Sequence, residues 1–123
     1  MGYIKHNTIV VTGWDEQHLN RAREKAVELF EKFTEEEGVI PPYGSKLISP
    51  VIGGLVNSQM SFFIAPDGSK EGWTTSNNCN DAREAFLDWL RDSDLFCDYV
   101  EVRFGGDDEY ESIVRSNEID LKD

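Results

Sequence analysis

The residues best suited to hold a metal or attack a substrate in this 123-residue chain are His6, His18, Cys79 and Cys97. Zinc takes four such ligands, but it relies on local clips of the C-x₂₋₄-C or H-x₃₋₅-H kind to bring them together. No pair has that spacing, so no metal is expected and the two cysteines read as free thiols. A nucleophilic thiol needs an electropositive setting. Cys79 lies just before an expected helix N-terminus, which helps, but Asp81 opposes it and neither histidine is its sequence neighbour. The acidic run Asp107, Asp108, Glu109 and Glu111 reads as a solvated stretch, because an acid–base pair needs burial to drive its two pKa values apart. No P-loop, dinucleotide fingerprint, nucleophile elbow or HExxH motif occurs. The chemistry points to binding without a cofactor, and a small thiol- or carboxylate-dependent enzyme is the weakest of the alternatives.

The stretch "APDGSKEGWTTSNNCND", from Ala65 to Asp81, is too long and polar for a plain turn. Hydroxyl and amide side chains immediately before a helix make an anion-binding collar when backbone amides and the helix dipole point the same way. Thr75, Ser76 and Asn78 supply the collar, Lys70 a phosphate partner and Trp73 a stacking plane. The simpler reading is a long loop ending in a helix cap, with Trp73 covering the end of the core.

Four strands and two helices are expected to carry these residues. "YIKHNTIVVTGW" alternates β-branched residues and stops at Thr12-Gly13, giving a strand from about Tyr3 to Val11. From Asp15 to Glu37, Leu19, Ala22, Ala26, Leu29 and Phe33 recur at helical spacing, with Asp15 or Thr12 as cap and Gly38 as stop. Pro41 and Pro42 hold the connection extended. "LISPVI" and "QMSFFIA" then read as a hairpin split by Gly53-Gly54, with Pro50 confining the first strand to an edge. A second helix is expected from Asp81, with Glu84 completing a capping-box variant, and "CDYVEVRF" as the last strand, with Val100, Val102 and Phe104 inward. Each helix has one apolar stripe, so both should cover one face of a mainly antiparallel four-stranded sheet. That is an α+β fold of the ferredoxin-like βαββαβ kind, occupying residues 1–104, with an acidic C-terminal tail over 105–123. The other sheet face would be open, with His6, Phe63 or Tyr99 upon it, and a homodimer would cover it.

Charge is the most specific compositional signal. The net charge is −12, and residues 92–123 hold eleven acidic residues against Arg103, Arg115 and Lys122. Such a surface repels nucleic acid and attracts a basic protein surface. No apolar run reaches the length of a membrane span and no signal-peptide cleavage site follows the N-terminus, which makes a cytoplasmic setting the expectation.

The stretches "GYIKHNTIVVTGW" and "SFFIAPDGSKEGW" resemble small uncharacterised accessory proteins of tailed bacteriophages and prophages. The resemblance implies expression in a bacterial host and inhibition of a host protein, including one used in defence, by binding it. It carries no functional residues over. Together these readings lead to a non-catalytic binding protein that engages a basic host protein through Asp107, Asp108, Glu109 and Glu111. The alternative is a dimer that captures a nucleotide-like ligand at Lys70, Trp73, Thr75, Ser76 and Asn78.

Overall fold

The structure is a computed structural model that describes residues 6–34, 44–69, 73–105 and 113–117. Strand β1 (His6–Gly13) buries every second residue, so Asn7, Ile9, Val11 and Gly13 face inward. Helix α1 (Glu16–Phe33) is capped by the Asp15 carboxylate, which accepts hydrogen bonds from the amides of Gln17 and His18 at 3.0 and 3.2 Å. Those bonds satisfy two of the amides left without partners by a helix start. The stripe Leu19, Ala22, Ala26, Leu29 and Phe30 is buried. At the other end the Thr34 hydroxyl donates to the Phe30 carbonyl and accepts the amide of Gly44 at 2.9 Å. A Cβ on Gly44 would lie 2.6 Å from the Phe30 carbonyl oxygen, so only glycine permits this approach. The expected stop at Gly38 and the proline pair lie outside the described residues.

The segment read as a strand "LISPVI" becomes a 3₁₀ turn over Gly44–Leu47, an isolated bridge from Ile48 to Ile64, and the two-residue β2 (Ile52–Gly53). Pro50 cannot donate to a ladder, which accounts for the break and leaves β2 at the sheet edge. Strand β3 (Met60–Ile64) places Phe62 and Ile64 inward and Phe63 outward.

Helix α2 (Thr74–Asp92) starts seven residues before the expected position. "TTSNNCND" therefore forms its first two turns rather than a loop, and Asp81 lies within the helix. Ser, Thr and Asn are poor helix formers, but Ser76, Cys79 and Arg83 follow helical spacing and are buried, so packing overrides propensity. Trp73 takes the N-cap position with no capping bond from its side chain.

Strand β4 (Asp98–Phe104) turns Tyr99 and Glu101 inward, the opposite of the expected Val100, Val102 and Phe104. Its register explains the choice, since Tyr99 pairs with Val11 and Glu101 with Ile9, both on the helix-covered face. Tyr99 is therefore a core residue rather than part of the open face. Strand β5 (Ile113–Ser116) lies in the segment read as a tail and pairs with β4, so the sheet has five strands among the described residues rather than the expected four. Its order is β2-β3-β1-β4-β5, with every neighbouring pair antiparallel.

One hydrophobic core joins Ile9, Val11, Phe62, Ile64 and Tyr99 of the sheet to the buried stripes of α1 and α2. Phe62 and Phe86 meet at a ring-centroid distance of 6.4 Å, and each such side chain contributes on the order of 2 kcal/mol by leaving water. Near the surface, Arg21 and Lys25 of α1 lie over the Trp89 ring of α2, at 5.3 and 5.7 Å from its centroid. Among the described residues no helix is long and apolar enough to cross a membrane.

Candidate functional site

The inward face carries an apolar core at one end and polar residues at the other. Asn7, Glu101 and Arg115 occupy inward positions on β1, β4 and β5, with 6%, 7% and 1% of their surfaces exposed. Glu101 is the cross-strand neighbour of Arg115, and Asn7 that of Arg103. The register shifts between Glu101 and Val102 in the β4–β5 ladder, where β5 carries an extra residue. Above them α2 presents Asn80, Glu84 and Asp88, each one helical turn from the last, so the three share a face. Asp88 holds the Arg115 guanidinium with an oxygen–nitrogen distance of 2.7 Å.

A cavity of about 220 Å³ lies between these rows, lined by Asn7, Asn80, Glu84, Glu101, Arg103, Val114 and Arg115. It is smaller than the roughly 300–1,000 Å³ typical of sites for drug-sized ligands. The Asn7 side-chain oxygen is buried without a hydrogen-bond partner among the described residues. Asn80 is oriented from behind, because its side-chain oxygen accepts from Arg83 Nη2 at 2.8 Å. The same nitrogen lies 3.1 Å from Asp67 Oδ1. Asp67, Arg83 and Asn80 thus form a chain of polar contacts, part-buried and centred on the buried Arg83, ending at the cavity wall.

The two thiols are poor nucleophiles. Burial, reinforced by the Asp67 charge and only partly offset by Arg83, pushes Cys79 up to about 11. Burial and the charges of Asp98 and Asp15 push Cys97 up to about 11 as well. Both folded-state values lie above the ordinary 9.0, so the unfolded chain loses these protons first as pH rises. The stability held by the protonated thiols is therefore fully present below about pH 9 and lost as pH rises through about 11. Unfolding midpoints measured from pH 8 to 11 should decline over this window, and Cys79→Ala with Cys97→Ala should flatten the decline.

His18 is engaged structurally, with Nδ1 accepting the Phe96 amide at 2.9 Å and its ring stacked on Phe96. His6 lies on the opposite sheet face beside Phe104. Among the described residues no group of three potential metal ligands comes together.

The expected anion collar is distributed around a helix. Trp73 is about half exposed at the N-cap, Thr75 and Asn78 are half-buried, and Ser76 faces the core. Lys70, Asp107, Asp108, Glu109 and Glu111 lie outside the described residues. No local pattern in the sequence brings the cavity residues together. The parity of Asn7 with Ile9 and Val11 was the available signal for Asn7, and the lone Arg115 in an acid-rich segment was the signal for β5.

The sheet face opposite the helices is the second feature of note. The register sets Phe63, Val10 and Val100 side by side across three strands, with Val102 and Phe104 further along β4 and Ile52 at the β2 edge. Phe63, Phe104 and Ile52 are 41%, 45% and 57% exposed. Thr12 and Ser61 hydrogen-bond to each other at 2.8 Å along one side. No described helix packs on this face. Comparison with protein-family models, curated proteins and solved structures finds no match.

Proposed function

We propose that this chain is a non-catalytic binding protein whose main contact surface is the sheet face opposite the helices. The observation that carries this reading is the apolar row Phe63, Val10 and Val100, continued by Val102 and Phe104 and left in contact with water. Contiguous exposed apolar surface of this kind marks sites of protein contact. The net charge of −12 favours a partner with basic surroundings by long-range attraction and repels acidic competitors. Asp81, Glu84, Asp88 and Asp92 contribute to that charge from α2, on the other side of the sheet, and the run Asp107, Asp108, Glu109 and Glu111 connects β4 to β5 in sequence. The resemblance to phage accessory proteins makes a basic host protein the partner of choice, with inhibition as the consequence of binding. Within the sheet, the order β4-β1-β3-β2 supports a ferredoxin-like arrangement, to which β5 adds a fifth strand.

Capture from bacterial lysate by wild-type protein and by Phe63→Asp tests the reading. The expected result is a basic protein that is retained at low salt, released at high salt and absent with Phe63→Asp, while the variant melts like wild type. Equal capture by both proteins would remove the sheet face from the proposal. A second reading, a homodimer closed through the same face, is favoured by the lack of acidic side chains along the Phe63–Val10–Val100 row. Light scattering distinguishes it, since the isolated protein would then have twice the 14.0 kDa mass of one chain and Phe63→Asp would halve it.

A further inference from the structure

The strands deliver three chain connections to one end of the sheet. Gly53, Met60 and Gly13 stand in one cross-strand row, and Thr12 lies opposite Asp98. Just beyond that row come the β2–β3 turn (54–59), the β1–α1 connection at Trp14 and Asp15, and the α2–β4 connection (93–97). A Cβ on Gly13 would lie 2.9 Å from the Phe96 carbonyl oxygen, so the last two connections are side by side. Leu55 in the turn is fully exposed, and Val56, Trp14 and Phe96 are each more than half exposed. The other large apolar side chains that the described residues leave in water are elsewhere, with Ile52, Phe63 and Phe104 on the sheet face and Trp73 at the opposite end of α2. We infer that this end of the sheet is a second docking surface, separate from the sheet face, and that its occupant is a cationic amphipathic helix of a partner protein.

Charge complementarity selects that occupant. Residues 14–17, 54–59 and 93–98 contain Asp15, Glu16, Asp94 and Asp98 and no lysine or arginine. Asp15 caps α1, and Asp98 accepts from Asn117 Nδ2 at 3.0 Å. Glu16 and Asp94 are exposed and have no hydrogen-bond or ion-pair partner among the described residues. Apolar tips with carboxylates beside them complement a stripe of apolar side chains flanked by lysine or arginine, and the exposed rings of Trp14 and Phe96 attract the same cations. An anionic bilayer is repelled by these carboxylates. The geometry suits a helix better than a strand. Strand ends offer no ladder edge to an extended segment, whereas a helix satisfies its own backbone groups and makes contact through side chains. With neighbouring strands about 4.8 Å apart, the span from the β2–β3 turn across β1 to β4 is about 12 Å, close to the roughly 10 Å between positions i and i+7 of a helix. The turn is held in shape by its own backbone, since Gly54 donates to the Gln59 carbonyl and Gln59 to the Val56 carbonyl, so little freedom is lost when its tip is covered.

The indole N–H NMR signals of Trp14 and Trp73, assigned with Trp14→Phe and Trp73→Phe, would be followed in the full chain during titration with a helical leucine–lysine peptide whose leucines form one face. Parallel titrations would use the same composition scrambled so that no apolar face forms, the leucine–glutamate counterpart, and phosphatidylglycerol vesicles, all at matched ionic strength. The expected result is saturable movement of the Trp14 signal with the patterned leucine–lysine peptide while Trp73 stays in place. The scrambled peptide should bind about tenfold more weakly or worse, and the other two probes should not bind. Leu55→Ser with Val56→Ser changes two exposed turn residues, so it should melt like wild type while peptide affinity falls about tenfold or more. Glu16→Gln with Asp94→Asn should also weaken binding and flatten its salt dependence. Phe63→Ser should leave peptide affinity unchanged. A still Trp14 signal, equal binding of the scrambled peptide, binding of the vesicles, or undiminished affinity in the turn variant would each overturn the inference. Loss of binding in Phe63→Ser would place the helix on the sheet face and overturn it as well. Capture through the sheet face is read by Phe63→Asp alone, so its failure and a failure at this end are distinguishable.

Discussion

Replacing Arg115 with leucine is expected to lower the free energy of unfolding by about 3–5 kcal/mol. That is a large part of the roughly 5–15 kcal/mol that holds an ordinary domain together. Arg115 is 1% exposed, with Nη2 2.7 Å from Asp88 Oδ1 and Glu101 as its cross-strand neighbour. Leucine fills part of the space but leaves the Glu101 carboxylate, itself 7% exposed, without that guanidinium beside it. Asp88 is partly in water and tolerates the loss better. The cost therefore falls mainly on Glu101 and on the attachment of β5, whose one buried described side chain is Arg115. Arg115→Lys retains the charge but not the planar fork, so it should recover only part of the loss. Combining Arg115→Leu with Glu101→Leu should recover more, because an apolar pair carries no desolvation penalty. Urea unfolding of the three variants provides the measurement. A wild-type midpoint for Arg115→Leu would mean that β5 contributes little to the domain.

Arg115 also shows what the sequence made legible and what it hid. The β-branched alternation of β1, the stripe and Asp15 cap of α1, and the outward position of Phe63 follow from period and local capping, and each is present. These features depend on neighbours in sequence. The inward face of β4 does not, because "DYVEVRF" alternates valine with tyrosine, glutamate and arginine, and hydrophobicity favours the wrong parity. Glu101 can face inward because β5 brings Arg115 beside it from fourteen residues further along the chain. An acid-rich composition in turn disguised β5 as tail, since four residues are too few to outweigh the charges around them. The start of α2 was hidden for a related reason. Ser, Thr and Asn normally favour caps and turns, and only the buried positions of Ser76, Cys79 and Arg83 show why this segment is helical. The polar cavity depends on both missed features, so no local pattern could have assembled it.

Asp67→Ala is the second substitution expected to have a large effect, about 3–5 kcal/mol of lost stability. Arg83 is 2% exposed, and Asp67 Oδ1 lies 3.1 Å from its Nη2. The Arg83 Nε and Nη1 atoms are already buried without partners among the described residues, so removing the carboxylate leaves a guanidinium balanced by the Asn80 oxygen alone. Asp67→Asn preserves an acceptor without the charge and should cost less, because a charge-assisted hydrogen bond becomes a neutral one. Arg83→Met combined with Asp67→Ala should recover stability relative to Asp67→Ala alone, since no buried charge is then left unbalanced. A chemical readout separates this explanation from simple loss of packing. Asp67 raises the pKa of Cys79 while Arg83 lowers it, so Asp67→Ala should bring that thiol down from about 11. Thiolate formation at pH 9, followed by ultraviolet absorbance under conditions where the variant remains folded, should therefore increase in a Cys97→Ala background. An unchanged titration together with a wild-type unfolding midpoint would show that the Asp67–Arg83 pair neither stabilises the fold nor sets the charge environment behind Asn80.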